Sequence, residues 1–276
     1  MSAANVTIRD ALYEAPGPKT KKRIRFFTVV SLVVLAALIF LIIRQFYVTG
    51  QLDAKYWSLF TRLTTWKFLA GGLTGTLKVA LVSSVVSFAI AFLMMVGRIS
   101  KNKIVSWIST ALIELSRGIP TLLFIYFFFL VAPQLGLKLP TFWKITLPVA
   151  LSAAGVVAEV LRSGVNAVPK GQTEAAVALG MRDATVFTKI VFPQAFRYVI
   201  PSLISELVIV LKDTTFAYVV SYADLMQNAR VLISNYDALL SVYLVTALIY
   251  ILINYLLNKA SVAVARHRSA VPGATK

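Results

Sequence analysis

The side chains best suited to chemistry in this chain are charges set inside long apolar runs. Glu114 and Arg117 are three residues apart, as are Glu159 and Arg162, so each pair shares one face of a helix. Glu206 and Asp213 are seven apart and again share a face, with Lys212 turned about a hundred degrees from it. A charge at the centre of a bilayer costs roughly 2.5–3.5 kcal/mol on insertion scales, so each of these needs a partner or a wet cavity. Such a set can lock helices together or line a polar path for a solute. Paired carboxylates also leave acid–base catalysis open. Thiol chemistry is excluded, because the chain has no cysteine. One histidine, His267 in a basic stretch, removes His triads and most metal sites. No Gly-x-x-x-x-Gly-Lys-Ser/Thr segment cradles a phosphate, so no nucleotide is hydrolysed here. The reading assigns no catalytic residue, no metal and no cofactor to this chain.

The composition explains why those charges stand out. Of 276 residues 58% are apolar and 14% charged, and mean hydropathy is +0.79. Soluble domains are nearer half apolar and a quarter charged, so a soluble enzyme is excluded. Runs of about 20 apolar residues are expected to cross the bilayer. Six are found: 26–48, 73–97, 104–131, 145–165, 199–220 and 238–258. The expected fold is all-α, a polytopic membrane protein with six transmembrane helices. Gly118 and Pro120 are expected to break the third span, as non-helical backbone does where it lines a cavity or is buried in protein.

Charge also sets the orientation. With both termini inside, the segments 1–25, 98–103, 162–197 and 259–276 carry 18 of the 28 Lys and Arg residues. That excess predicts N-in and C-in, and it accounts for much of the +17 net charge without nucleic acid. The first span follows a basic run and resembles a signal peptide. It is long for one and lacks a small-x-small cleavage site after Phe46, so a retained anchor is expected. Between the first two spans, Tyr56, Trp57, Phe60, Leu63, Trp66 and Phe68 recur at roughly helical spacing, as in an interfacial helix.

The long inside loop has helical signals of its own. Thr173 is placed to cap a short alanine-rich helix, with Glu174 complementing its positive N-terminus. Gly180 is placed to end that helix in the left-handed conformation. Asp183 is expected to open a second helix carrying Val186, Phe187, Ile190 and Val191, and Pro193 to stop it. A nearly flat alanine face suits another protein's groove, and equally a connector packed on its own spans.

Glu174-Ala175-Ala176, Gly180, and Ile190-Val191-Phe192-Pro193 resemble the EAA motif of permease subunits in bacterial ABC importers. That pattern is Glu-Ala-Ala, three residues, Gly, nine residues, Ile-x-Leu-Pro. Every spacing agrees, and Phe192 stands where Leu is usual. Other segments are similar to the polar amino acid branch: Thr76 to Leu81, Glu114 to Leu123, Ala158 to Gly164, Pro169 to Gln172, and Lys212 to Thr215. In Pro201 to Glu206, Ser205 replaces a frequent Asn. The resemblance covers about residues 70–260, with glutamate importers suspected among the members.

The resemblance implies a five-helix permease core at 73–260, preceded by a basic tail (1–25), an added helix (26–48) and an extracytoplasmic interfacial segment (49–72). A second basic tail follows at 261–276. It implies ATPase subunits that bind ATP and Mg, a second permease subunit, expected to be a different chain, and an extracytoplasmic substrate-binding protein. Glu174, Ala175, Ala176, Gly180, Ile190 and Pro193, in the loop at about 166–197, are the implied ATPase-coupling residues. For an amino acid zwitterion, Arg117 and Lys212 are candidate carboxylate donors. Glu159, Glu206 and Asp213 are candidate ammonium acceptors, and helix locks remain the alternative role for all five. Glutamate is the leading solute and glutamine or arginine the alternatives, in a bacterial cell membrane. The rivals from other classes are an ion-coupled secondary transporter and a membrane-embedded enzyme; no internal duplication supports the first.

Overall fold

A computed structural model describes residues 17–269. The parts of the basic tails at 1–16 and 270–276, including Arg9 and Lys276, lie outside the described residues. Among the described residues the chain is helical, with no strand. Contacts divide it into two units, residues 1–56 and 57–276.

The first unit holds α1, Pro18–Val48. It begins inside the segment read as a tail, because Pro18 suits the first helical turn and the basic residues after it continue the helix. None of its side chains is buried, and an 18-residue stretch of it with a mean hydropathy of 3.1 marks it as a span.

The second unit is the bundle. It comprises α2 (Leu63–Arg98), α3 (Lys103–Gly118), α4 (Thr121–Tyr126), α5 (Thr141–Ala167), α6 (Lys170–Ala178), α7 (Phe192–Asp213), α8 (Leu225–Tyr236) and α9 (Leu239–Ser269). The first long helix of this unit starts within the segment expected to be interfacial. After single turns at Ala54–Trp57 and Ser58–Thr61, α2 starts at Leu63, ten residues before the apolar run. The Thr65 hydroxyl donates to the Leu59 carbonyl at 2.7 Å and the Trp66 indole to that of Phe60 at 2.8 Å, fixing this early start.

The break expected in the third span is a sharp one. Pro120 pushes Ile119 into the extended region (φ −91°, ψ 122°), and α3 meets the helix at Thr121–Val131 at 97°. The expected six spans are not all matched by length and composition. Among the described residues four helices are long and apolar enough to cross, and the bent pair makes five. The helix expected as the fifth span, α7, is not among them; it carries Arg197, Glu206, Lys212, Asp213 and two prolines. It also ends at Asp213, with 3-10 turns from Thr214 to Val220, rather than running on to 220.

The core forms around α5, which packs on α2, α3, α4 and α7. Its small residues Ala150, Ala153, Ala154, Gly155 and Ala158 are buried and let neighbouring backbones approach closely, as membrane helices require. One cluster joins Val79, Ile125, Ile145, Val149 and Leu211; another joins Met95, Ile113, Val157, Leu161 and Val199. The approach of α8 to α2 is tighter still. A Cβ on Gly75 would stand 2.3 Å from the Ala223 carbonyl oxygen. Backbone does not yield as a flexible side chain does, so Gly75→Ala is expected to lower stability by about 1–3 kcal/mol, read as a reduced Tm of the detergent-solubilised protein.

Candidate functional site

The loop between α5 and α7 folds as two helical pieces. Pro169, not Thr173, precedes α6; Thr173 lies inside the helix, because the proline at the boundary starts it four residues early. Gly180 has φ +77°, the left-handed conformation expected at the end of this helix. Asp183 opens the next turn as expected. Pro193 does not stop it. The chain passes through a π-helical turn, Phe187–Val191, directly into α7, and Pro193 sits in the first turn of α7.

The two faces of α6 differ. Ala176 is buried with Val168, Val186, Val191 and Ala195, and Ile190 packs against that cluster. Glu174, Ala175, Ala178 and Leu179 are exposed, Leu179 at 82%. The loop therefore packs on its own spans by one face and leaves an apolar-edged face open. Beside it lies a groove of about 970 Å³, lined by Ser100, Val105, Lys170, Glu174, Asp183 and Phe187. Lys101, in the turn between α2 and α3, pairs with Asp183 across it.

The charges at 114–117 and 159–162 meet in one network. Arg98, at the end of α2, pairs with Glu159 and lies 3.8 Å from Glu114. Arg117 reaches Glu114 at 3.5 Å, and Arg162 reaches Glu159 at 2.8 Å. Both i,i+3 pairs expected from spacing form, and Arg98 ties them across α2, α3 and α5. Arg98 falls in the inside segment 98–103 by charge, and its place as the last residue of an apolar run is the sequence signal for this role.

Glu206 and Asp213 form a separate place on α7. Glu206 is 7% exposed and lines a cavity of about 420 Å³ with Ser84, Ser87, Phe88, Val157 and Phe196. The buried Ser87 hydroxyl has no hydrogen-bond partner there. Asp213 accepts from the Thr121 hydroxyl at 2.9 Å, and Thr121 also meets Ser152 at 2.8 Å. Lys212 is exposed, on another side of the helix. Among the described residues no ion pair joins Arg117 or Lys212 to Glu206 or Asp213. Of the five path candidates, two share the α7 face, two belong to the network, and Lys212 stands alone. Ser205 donates to its own helix at the Pro201 carbonyl, 3.0 Å away, so it is satisfied without a solute.

A buried carboxylate that the spacing did not single out caps α8. Asp224 Oδ1 accepts from the Gln227 amide at 2.7 Å, and Oδ2 is buried with no partner. The Thr76 hydroxyl of α2 accepts from the Leu225 amide at 3.0 Å, holding the cap in place. Burial pushes the Asp224 carboxyl up to about 6, against the pull of nearby backbone amides. Its signal in the sequence was an Asp directly before a helical run.

The described residues thus form an all-helical bundle with membrane-length helices, an ordered inter-helix loop and a largely apolar cavity that holds one carboxylate, Glu206. The chain belongs to the family of binding-protein-dependent transport system inner membrane components, which matches residues 87–269. It is 34% identical over 225 residues to the glutamate transport system permease protein GluD of Corynebacterium glutamicum, covering 80% of this chain and 82% of that one. It is 32% identical over 197 residues to the probable glutamine ABC transporter permease protein GlnP of Bacillus subtilis, covering 70% of this chain and 90% of that one. Among solved structures, an amino acid ABC transporter matches with a TM-score of 0.70 and 26% identity, over 75% of this chain and 97% of that one.

Asp224 generates a pH prediction. Its folded value of about 6 lies above the ordinary 3.8, so the fold holds the proton more tightly than the unfolded chain does. Stability from this group is full below about pH 4, falls as pH rises to 6, and is absent above. Asp224→Asn keeps the Oδ1 acceptor and removes the charge. At pH 7.5 it is expected to raise stability by about 3 kcal/mol at most, and to flatten the change in Tm between pH 4 and 7.

Proposed function

We propose that this chain is the membrane-spanning permease of an ATP-driven importer for a polar amino acid, with glutamate the leading solute. The observation that carries the reading is the loop at 166–197: one face of α6 packs on the bundle through Ala176, and the face bearing Glu174 and Ala175 is open. An exposed helix with apolar neighbours Val177 and Leu179, 50% and 82% exposed, suits a protein groove better than water. A separate ATPase binds there, contacting Glu174, Ala175 and the turn at Gly180. Ile190 and Pro193 act from behind, holding the loop against α7.

Six crossings are retained in this reading, with both termini inside. The charges of α7 are tolerated because α2, α5 and α9 pack around it. The first helix is an addition to the five-helix core, the segment before α2 lies outside, and the basic ends lie inside. The solute passes along α7, where Glu206 accepts its ammonium group and Asp213, oriented by Thr121, acts beyond it. Arg117 and Glu159 act as helix locks rather than solute contacts, because Arg98 and Glu114 already engage them. Lys212, exposed and uncommitted, is the candidate donor to a carboxylate from the pathway of a partner permease, which we take to be a different chain. A binding protein delivers the solute from outside. The glutamate relative supports glutamate. A second reading, a cationic amino acid such as arginine, is favoured by a cavity lined by Glu206 with no Lys or Arg.

The test is uptake of labelled glutamate, glutamine and arginine into proteoliposomes holding this chain with its companion permease, ATPase and binding protein, with and without internal ATP. Uptake is expected only with ATP, and Glu174→Arg is expected to abolish it while the permeases still assemble. Equal uptake without ATP contradicts the reading and returns Glu206 and Asp213 to an ion-coupled mechanism.

A further inference from the structure

Five phenylalanines run from the groove beside α6 to the cavity at Glu206. Phe187 lines the groove, and Phe88 and Phe196 line the cavity. Between them the rings touch in sequence. Phe187 meets Phe192 with centroids 5.8 Å apart, and Phe192 meets Phe92 of α2 at 5.0 Å. Phe192 also meets Phe196 at 6.0 Å, and Phe196 meets Phe88 at 5.9 Å. All five are half-buried against the same cluster of Ala91, Met95, Ala158, Leu161 and Val199.

Two features of the backbone make this contact chain possible. Phe88 and Phe92 are four apart on α2, and Phe192 and Phe196 are four apart on α7, so each pair shares a helix face. The two faces then meet ring to ring in opposite directions. Phe187 and Phe192 are five apart, which in a regular α-helix turns them about 140° from each other. The π-helical turn at Phe187–Val191 removes that mismatch, because its wider turn brings residue i+5 back over residue i. The irregular turn is thus placed where it joins the loop's last ring to the helix's first.

We propose that Phe192 is a positioning residue that transmits between the two cavities: a solute at Glu206 shifts Phe88 and Phe196, and Phe192 passes the shift to Phe187 beneath α6. Aromatic rings suit this task because a tilted or edge contact has a preferred geometry, whereas aliphatic contact does not. The proposal rests on the reading of the loop as the ATPase site and adds to it the route by which solute occupancy reaches that site. Leucine, usual at this position of the motif, fills most of the volume and makes no ring contact.

The experiment measures ATP hydrolysis by the complete reconstituted transporter with and without saturating glutamate, glutamine or arginine plus binding protein. In Phe192→Leu the ratio of solute-stimulated to unstimulated hydrolysis is expected to fall about 3- to 10-fold, the scale of a lost aromatic pair. Phe192→Tyr, which keeps the ring, is expected to retain the ratio. Adding Phe88→Leu to Phe192→Leu is expected to lower it no further, since both interrupt one route. An unchanged ratio in Phe192→Leu, equal loss in Phe192→Tyr, or additive loss in the double variant overturns the proposal. The Glu174→Arg complex separates the two levels: if its ATPase stays bound and fully stimulated, the loop reading itself is wrong and the ring route has nothing to act on. A wild-type ratio of one with all three amino acids overturns the ring route alone, because no solute signal then reaches the ATPase.

Discussion

A polar group that enters hydrocarbon must bring a partner with it, and this constraint orders the whole bundle. It explains why hydroxyls on buried faces turn to carbonyls. Ser83 donates to the Thr146 carbonyl at 3.1 Å, and Thr146 in turn donates to that of Phe142 at 2.7 Å. It explains why Glu114, Arg117, Glu159 and Arg162 gather around Arg98 instead of lying scattered along three helices. Groups that escape the rule then become informative. Glu206 sits in a cavity with no basic neighbour, and Ser87 and Asp224 each keep an unbonded oxygen.

The helices that carry these groups can approach one another because α5 is built from small residues. Close contact there leaves little slack, and α2, α3 and α7 all pack on this shared central helix. The loop at α6 is attached to this body at both ends, through Val168 and through the π turn into α7. Gln194 adds a side-chain bond back to Gln172 at 3.3 Å. A load applied to α6 from outside therefore falls on α7, the helix that carries Glu206 and Asp213.

Much of this was legible in residue order, where local rules dominate. Apolar run lengths located five of the six expected spans, counting the bent pair as one, i,i+3 spacing located both ion pairs, and Gly180 marked the one left-handed turn needed to end α6. The errors came where a neighbour overrode a local signal. Thr173 looked like a cap, but Pro169 had already started the helix. Pro193 looked like a stop, but a π turn feeds it into a first helical turn, where proline is tolerated. The start of α2 at Leu63 depends on side-chain bonds to Leu59 and Phe60 that no hydropathy window registers. The role of Arg98 needs two other helices, and the burial of Asp224 depends on Gly72 and Gly75 admitting α8 against α2. These are tertiary facts, so sequence periodicity could only list the residues.

The central claim is that nucleotide events at α6 change access to the cavity at Glu206. The absence of cysteine from the chain makes a single reporter feasible, and Ser87→Cys is a near-isosteric change at a hydroxyl that bonds nothing. The rate at which a membrane-impermeant thiol reagent labels Ser87→Cys in the assembled transporter should differ strongly between the nucleotide-free and ATP-trapped states. The difference should vanish when Glu174→Arg is added. A labelling rate that ignores nucleotide in the intact complex would contradict the account.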